Sequence, residues 1–375
     1  MKEQTIAFIG LGLIGGSIAR RLKRFSPEIK IMAYMRTRAK LEQAKADGVV
    51  DVILDGIDEK LRECDVIFLC TPVEYNAQYL ALIKPFLKEE AMVTDVGSTK
   101  TSIHEEVTRL GMDRFFVGGH PMAGSEKTGY EHSNDHLLEN AYYIVTPSFP
   151  ENDSAKEAEE NRSRCDRLVG IAKAIGAIPM VLDYREHDKV VAAVSHLPHV
   201  IAASLVHLVK DSDSGDGIMK TIAAGGFKDI TRIASSSPGM WQQICLTNAD
   251  NILRLLDDYI RSLTLLRGEL ERKDADALYG FFQGAQTYRD SFAEASSGPI
   301  KKSYSLTADI ADETGALASV AALLAQNRIG IKNIGIVHNR ERAEGALRME
   351  FYGENDAVCA AGLLREHGYA IYEKK

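Results

Sequence analysis

Thr5-Ile6-Ala7-Phe8-Ile9-Gly10-Leu11-Gly12-Leu13-Ile14-Gly15-Gly16-Ser17 sets a short strand-forming run directly against a G-x-G-x-x-G turn. Beyond it, Ile18 to Leu22 has helical spacing and Ile29 to Tyr34 reads as a second strand. Strand, glycine turn, helix and strand in that order make the βαβ unit of a dinucleotide-binding fold, a context that a lone glycine motif lacks. In that unit Gly10 makes the turn, Gly12 lets the backbone approach a pyrophosphate, and Gly15 lets helix and strand pack closely. Leu13 and Ile14 open the helix whose positive N-terminus would face the phosphates.

The end of the second strand reads the cofactor's ribose, where an Asp or Glu would bind the 2′-hydroxyl of NAD. Here the chain runs Ala33-Tyr34-Met35-Arg36-Thr37-Arg38, with no acid before Glu42. Arg36 and Arg38 either hold the 2′-phosphate of NADP or are solvated residues at a helix start. Further strands are expected at 65–70, 91–95, 114–118, 142–146 and 178–182, each an apolar run suited to burial on both faces. Ligands of such open sheets bind at the strands' carboxyl ends. That rule puts Thr71 and Pro72, the Gly97-Ser98-Thr99-Lys100 turn and the loop after residue 118 along one crevice. Ser98 is placed to reach a reacting hydroxyl or the nicotinamide, whereas Lys100 is expected to cap or pair locally.

Val117-Gly118-Gly119-His120-Pro121 then offers one titratable imidazole in a glycine-framed turn. The glycines allow close approach or positive φ and Pro121 fixes the chain beyond, so His120 is expected to be held for general-base or hydrogen-bonding work near neutral pH.

From residue 183 to 295 the spacing is helical, with wide apolar stripes that suit burial against a second copy. In Ser195-His196-Leu197-Pro198-His199 the proline is expected to kink the helix and expose His196 and His199, each of which is otherwise a structural histidine. Lys228 and Arg232 are four apart, so a helix would put both cations on one face, for a substrate with two carboxylates or simply for water. Trp241, the single tryptophan, follows closely. Residues 296–302 read as a linker, and 303–375 as a βαββαβ module of ferredoxin-like order with no catalytic cluster.

Composition limits the function classes. A net charge of −8 leaves no basic footprint for nucleic acid or an anionic membrane. Five scattered cysteines without metal spacing point to a reducing compartment, with neither disulfides nor zinc. The N-terminus lacks a signal pattern and no apolar run is read as membrane-spanning, so a cytoplasmic protein is expected.

The motifs GLGLIGGS (10–17), GGHPMAGSE (118–126), SHLPH (195–199), GGFKDITRIASSSPGMW (225–241) and DETGAL (312–317) stand in one order along nearly the whole chain. In that set the chain resembles prephenate dehydrogenases that carry a C-terminal ACT domain. The resemblance implies a Rossmann-type domain over 1–182, a helical substrate and dimerisation domain over 183–295, and an ACT domain over 303–375. It implies NAD-dependent oxidative decarboxylation of prephenate, with NADP kept open by Met35-Arg36 where the acid would stand. It further implies His120 as base with Ser98 assisting, and Arg232 as carboxylate anchor with Lys228 and His199 in support. Glu126 would gate or tune the pocket, and Trp241 would line it. Tyrosine is the implied effector of a homodimer, bound near Asp312, Gly315, Ala316 and Leu317. Arogenate dehydrogenase is the neighbouring reading. An amino-acid sensor with a non-catalytic dinucleotide site is a reading from another class, against which the His120, Ser98 and Arg232 set argues.

Overall fold

The computed structural model describes residues 4–124, 127–148, 155–294, 304–310, 313–337 and 345–373. Two compact units emerge, Met1–Glu271 and Arg272–Lys375.

The first unit begins with β1 (Thr5–Ile9), α1 (Leu13–Phe25), β2 (Lys30–Tyr34), α2 (Arg38–Ala46), β3 (Val52–Ile53), β4 (Val66–Leu69), α3 (Asn76–Ile83) and β5 (Met92–Asp95). These strands form a parallel sheet in the order β3-β2-β1-β4-β5. The chain winds outward from β1 and then crosses back to β4, so the order reverses between β1 and β4 and opens a crevice at their carboxyl ends. Successive residues of β1 serve opposite faces. Ile6 and Phe8 join a core with Leu22 of α1, while Ala7 and Ile9 join a second core with Leu80 and Ile83 of α3. Phe8 stacks on Phe68, its partner in register on β4, with ring centroids 5.0 Å apart.

Then come α4 (Thr101–Arg109), β6 (Val117–Pro121), β7 (Tyr142–Pro147), α5 (Ala155–Ala174) and β8 (Ile178–Val181). β6 pairs antiparallel with β7, and β7 parallel with β8. A parallel bridge between Val93 and Phe116 links this second sheet to β5. The two-residue β3 was not anticipated, because so short a segment shows no periodicity.

The helical part of this unit comprises α6 (Tyr184–Val191), α7 (Leu197–Ser212), α8 (Ile218–Ile222), α9 (Gly225–Thr231), α10 (Pro238–Thr247) and α11 (Ala249–Arg272). A π-turn, Ala192–His196, joins α6 to α7, so Pro198 does not break the helix. The wider turn ahead of the proline absorbs its missing N–H and its ring. The resulting Tyr184–Ser212 rod is long and apolar enough to cross a membrane, by length and composition, which corrects the reading that no run reaches that length.

The second unit holds α12 (Ala275–Glu294), β9 (Tyr304–Ile310), α13 (Ala316–Gln326), β10 (Ile331–Val337), β11 (Gly345–Phe351), α14 (Glu354–Glu366) and β12 (Ile371–Glu373). Its antiparallel sheet runs β10-β11-β9-β12. Leu306, Ala308 and Ile310 of β9 pack against Val320 and Leu324 of α13 and Leu364 of α14. The expected linker, 296–302, lies outside the described residues.

Candidate active site

The glycine turn divides its tasks among three residues. Gly10 has φ +91°, donates its N–H to the Tyr34 carbonyl at 2.8 Å, and would push a Cβ to 2.8 Å from the Cys70 carbonyl oxygen. A Cβ on Gly15 would meet the Gly10 oxygen at 2.9 Å, so α1 crosses β1 closely only with glycine there. At Gly12, which caps α1, a Cβ would meet nothing within 4 Å. That open space lies before the first turn of α1, formed by Leu13, Ile14 and Gly15 with no acidic side chain, so the helix N–H groups and dipole favour an anion there. Across the crevice, Thr71 and Pro72 follow β4, and the Thr71 hydroxyl donates to Asn76 Oδ1 at 3.0 Å. These residues fit a dinucleotide pyrophosphate. At the ribose end, the Arg36 guanidinium lies over the Tyr75 ring, 5.2 Å from its centroid. Arg38 pairs with Glu42 at 3.1 Å and with Asp55 at 2.5 Å, so it already serves two carboxylates.

At the other end of the crevice, β5 delivers Asp95, fully buried with Lys100 in an ion pair. Lys100 therefore pairs locally, as expected. The Asp95 carboxylate also accepts the N–H of Gly97 at 2.9 Å and of Gly119 at 3.1 Å. One buried acid thus ties the loop carrying Ser98 to the strand carrying His120. That strand differs from expectation: His120 lies within β6, paired with Ile144, rather than in a turn beyond it. Neither Gly118 nor Gly119 has positive φ. Their role is clearance, because a Cβ on Gly119 would lie 2.7 Å from the Asp95 carbonyl oxygen, and one on Gly118 would overlap the Thr146 hydroxyl.

His120 is 8% exposed, and its Nδ1 lies 2.8 Å from Nε2 of His187. Nδ1 of His187 lies 2.8 Å from Oδ1 of Asp188. Asp188 accepts the backbone N–H groups of Lys100 and Thr101, each at 2.8 Å, and so caps α4 from another helix. Burial, followed by the charges of His187, Lys100 and His196, pushes His120 well below the ordinary histidine range. Neither His187 nor Asp188 was singled out in the sequence; the adjacent His-Asp pair ahead of SHLPH was the available signal.

The SHLPH segment sorts its two histidines. His196 is buried rather than exposed, with Nδ1 3.1 Å from Asn248 Nδ2, and burial holds it down at about 4. His199 is half-buried; its Nδ1 donates to the Ser195 carbonyl at 2.9 Å and its ring stacks on Trp241 at 3.7 Å. Burial lowers the His199 pKa, against the hydrogen bond to Ser195, which raises it, and the charge of Arg232 lowers it further. Lys228 and Arg232 are exposed; Lys228 lies in α9 and Arg232, still in right-handed helical conformation, caps it and opens a 3₁₀ turn, so the four-residue spacing keeps both on one side of the helix. Glu126 and Asp312 lie outside the described residues. Gly315 takes φ +97° as the cap of α13, and Ala316 and Leu317 form the first turn of that helix.

Residues 18–161 match the family described as "Prephenate dehydrogenase, nucleotide-binding domain", and residues 183–284 match "Prephenate dehydrogenase, dimerization domain". The prephenate dehydrogenase of Bacillus subtilis is 38% identical over 94% of this chain and 94% of its own length. Among solved structures, prephenate dehydrogenase from A. aeolicus in complex with hydroxyphenyl propionate and NAD+ aligns with a TM-score of 0.71 and 29% identity. That alignment covers 78% of this chain and 99% of that one. Synechocystis arogenate dehydrogenase aligns at 0.66 with 29% identity, over 77% of this chain and 100% of its own.

Proposed function

Because the chain belongs to the prephenate dehydrogenase family, we infer that the glycine crevice and the His120 pocket carry out one reaction, the oxidative decarboxylation of prephenate to 4-hydroxyphenylpyruvate. The protein is an oxidoreductase that binds a nicotinamide dinucleotide in its first domain. The observation that carries the residue assignment is the buried His120, held 2.8 Å from His187, on a strand whose Gly119 shares the Asp95 carboxylate with the loop of Ser98. A bound nicotinamide supplies the acceptor for the hydrogen on the substrate's C4. His120 takes the proton of the 4-hydroxyl, and Ser98 holds that oxygen in line. Arg232 anchors a substrate carboxylate with Lys228 and His199 in support, and Trp241 forms the wall behind His199. Loss of carbon dioxide and aromatisation drive the reaction forward. Measuring reduced dinucleotide and 4-hydroxyphenylpyruvate together tests this: they should form one for one, and dinucleotide reduction without that product would remove the assignment.

NAD is our working cofactor, with NADP bound comparably because Met35-Arg36 replaces the acid that would select a 2′-hydroxyl. Calorimetric titration with each should give dissociation constants within about tenfold, roughly 1.4 kcal/mol. NADP binding that is undetectable where NAD saturates would leave Arg36 to its stack on Tyr75 and Arg38 to its carboxylates.

The family's dimerization domain spans helices whose Val194, Leu208, Leu246, Leu253 and Leu265 are exposed apolar residues, and we assign that surface to a second copy in a homodimer. A cytoplasmic location belongs to the same reading and fits five free cysteines.

The βαββαβ module is assigned as an ACT domain that reads tyrosine, with the amino acid's carboxylate near Gly315, Ala316 and Leu317 at the start of α13. Tyrosine should therefore change the rate of the full chain by a coupling of about 1–3 kcal/mol, and removal of residues 303–375 should abolish the response while turnover persists. A full chain indifferent to saturating tyrosine would contradict this.

A further inference from the structure

His120 is one end of a buried line of groups that the reaction as described leaves unused. The line runs from His120 Nδ1 to His187 Nε2, and from His187 Nδ1 to Asp188 Oδ1, with 2.8 Å at both steps. Where the protons sit follows from the far end. Both Asp188 oxygens face donors that cannot accept, the N–H of Lys100 at Oδ1 and the N–H of Thr101 at Oδ2. Burial pushes the Asp188 carboxyl up, but hydrogen bonds from His187, Thr101 and Lys100 outweigh it and leave the carboxyl below its ordinary range. An ionised carboxylate only accepts, so Nδ1 of His187 must carry the proton. Burial keeps the His187 ring neutral, so its single proton is spent there and Nε2 holds a lone pair. A lone pair 2.8 Å from His120 Nδ1 requires an N–H on that atom. Nε2 of His120 is then the basic nitrogen.

We propose that His187 and Asp188 are positioning residues that fix the tautomer of His120, so that Nε2 always meets the substrate hydroxyl as an acceptor. The proposal rests on the reading of His120 as the base. With Nδ1 held by His187, the His120 ring cannot turn over and present the wrong nitrogen. When the hydroxyl proton arrives at Nε2, His120 holds it until carbon dioxide leaves and the aromatised ring's oxygen takes it back. The new positive charge keeps its Nδ1–H on His187, whose opposite nitrogen donates to the negative Asp188. Asp188 does not itself become protonated, and no proton passes along the line. The logic is that of a histidine oriented by a buried acid, with a second imidazole inserted between them.

The test uses the full-length enzyme. His187→Leu removes the acceptor for His120 without touching the cap that Asp188 places on α4, and should lower kcat by roughly 10²-fold or more with little change in KM for prephenate. His187→Gln keeps an oxygen to accept from His120 and an N–H to donate to Asp188, and should recover about tenfold or more of that loss. A residue that only fills space would behave the other way, since Leu would lower thermal stability no more than Gln and leave kcat alone. His120→Asn, measured alongside, separates the two levels. If it loses turnover while His187→Leu stays within about twofold of the parent kcat, the positioning role is wrong and the base assignment stands. If His120→Asn turns over normally, the base assignment fails and the proposal with it. Two-bond ¹H–¹⁵N spectra of histidine-labelled parent enzyme give the answer without any variant. Protonated Nδ1 and bare Nε2 on His120 are expected, and the reverse pattern overturns the proposal.

Discussion

His120→Asn should lower kcat by roughly 10²–10⁴ while changing substrate KM far less, because Asn keeps a hydrogen-bonding side chain but supplies no base. The substitution falls on a strand residue whose neighbours are fixed independently of the ring. Gly119 is tied to Asp95 at 3.1 Å and β6 pairs along its length with β7, so the fold should survive the change. The pH profile sharpens the prediction. Burial and the nearby His187, Lys100 and His196 charges hold His120 well below the usual histidine pKa, so the neutral, basic form persists as pH falls through 6.5. The acid limb of kcat/KM that reports His120 in the free enzyme should therefore lie below 6.5, where protonation removes the base. Turnover near the parent rate in His120→Asn would remove the imidazole from the mechanism.

Arg232→Gln should raise KM for prephenate by roughly 30- to 1,000-fold, the equivalent of about 2–4 kcal/mol of lost charge-assisted bonding. Arg232 is exposed in the single chain, where a surface ion pair would contribute little. On the proposed assignment, a substrate carboxylate bound by Arg232 would lose water against the stacked His199 and Trp241 rings. The same carboxylate pairing is worth more once water is excluded. Steady-state kinetics with prephenate check this, and an unchanged KM would return Arg232 to the solvated surface.

The glycine turn was legible because its tasks are local: Gly10, Gly12 and Gly15 contact or face residues of the same βαβ unit and the adjoining β4 turn. The strands of the parallel sheet were legible for the same reason, since burial on both faces leaves uninterrupted apolar runs such as Val66–Leu69. Gly118 and Gly119 misled, since paired glycines look like a turn. Their actual reason is steric, set by Thr146 and Asp95, which lie 28 and 24 residues away in sequence. His187 escaped notice on similar grounds, being 67 residues from His120 and marked by no spacing rule. Pro198 pointed to a break that the π-turn at Ala192–His196 averts, a local widening that no spacing in the sequence marks. Arg232 was legible only as a cation four residues after Lys228; it is exposed at the C-cap of α9, and its pairing with a substrate carboxylate is a proposal.

The central claim is that this chain oxidises prephenate through His120 with a nicotinamide acceptor. Steady-state assays of prephenate and arogenate, each with NAD and with NADP, test it most directly. The expected result is saturable dinucleotide reduction with prephenate, a kcat/KM for prephenate above that for arogenate, and 4-hydroxyphenylpyruvate as product. Reduction with arogenate alone, or with neither substrate, would contradict the claim.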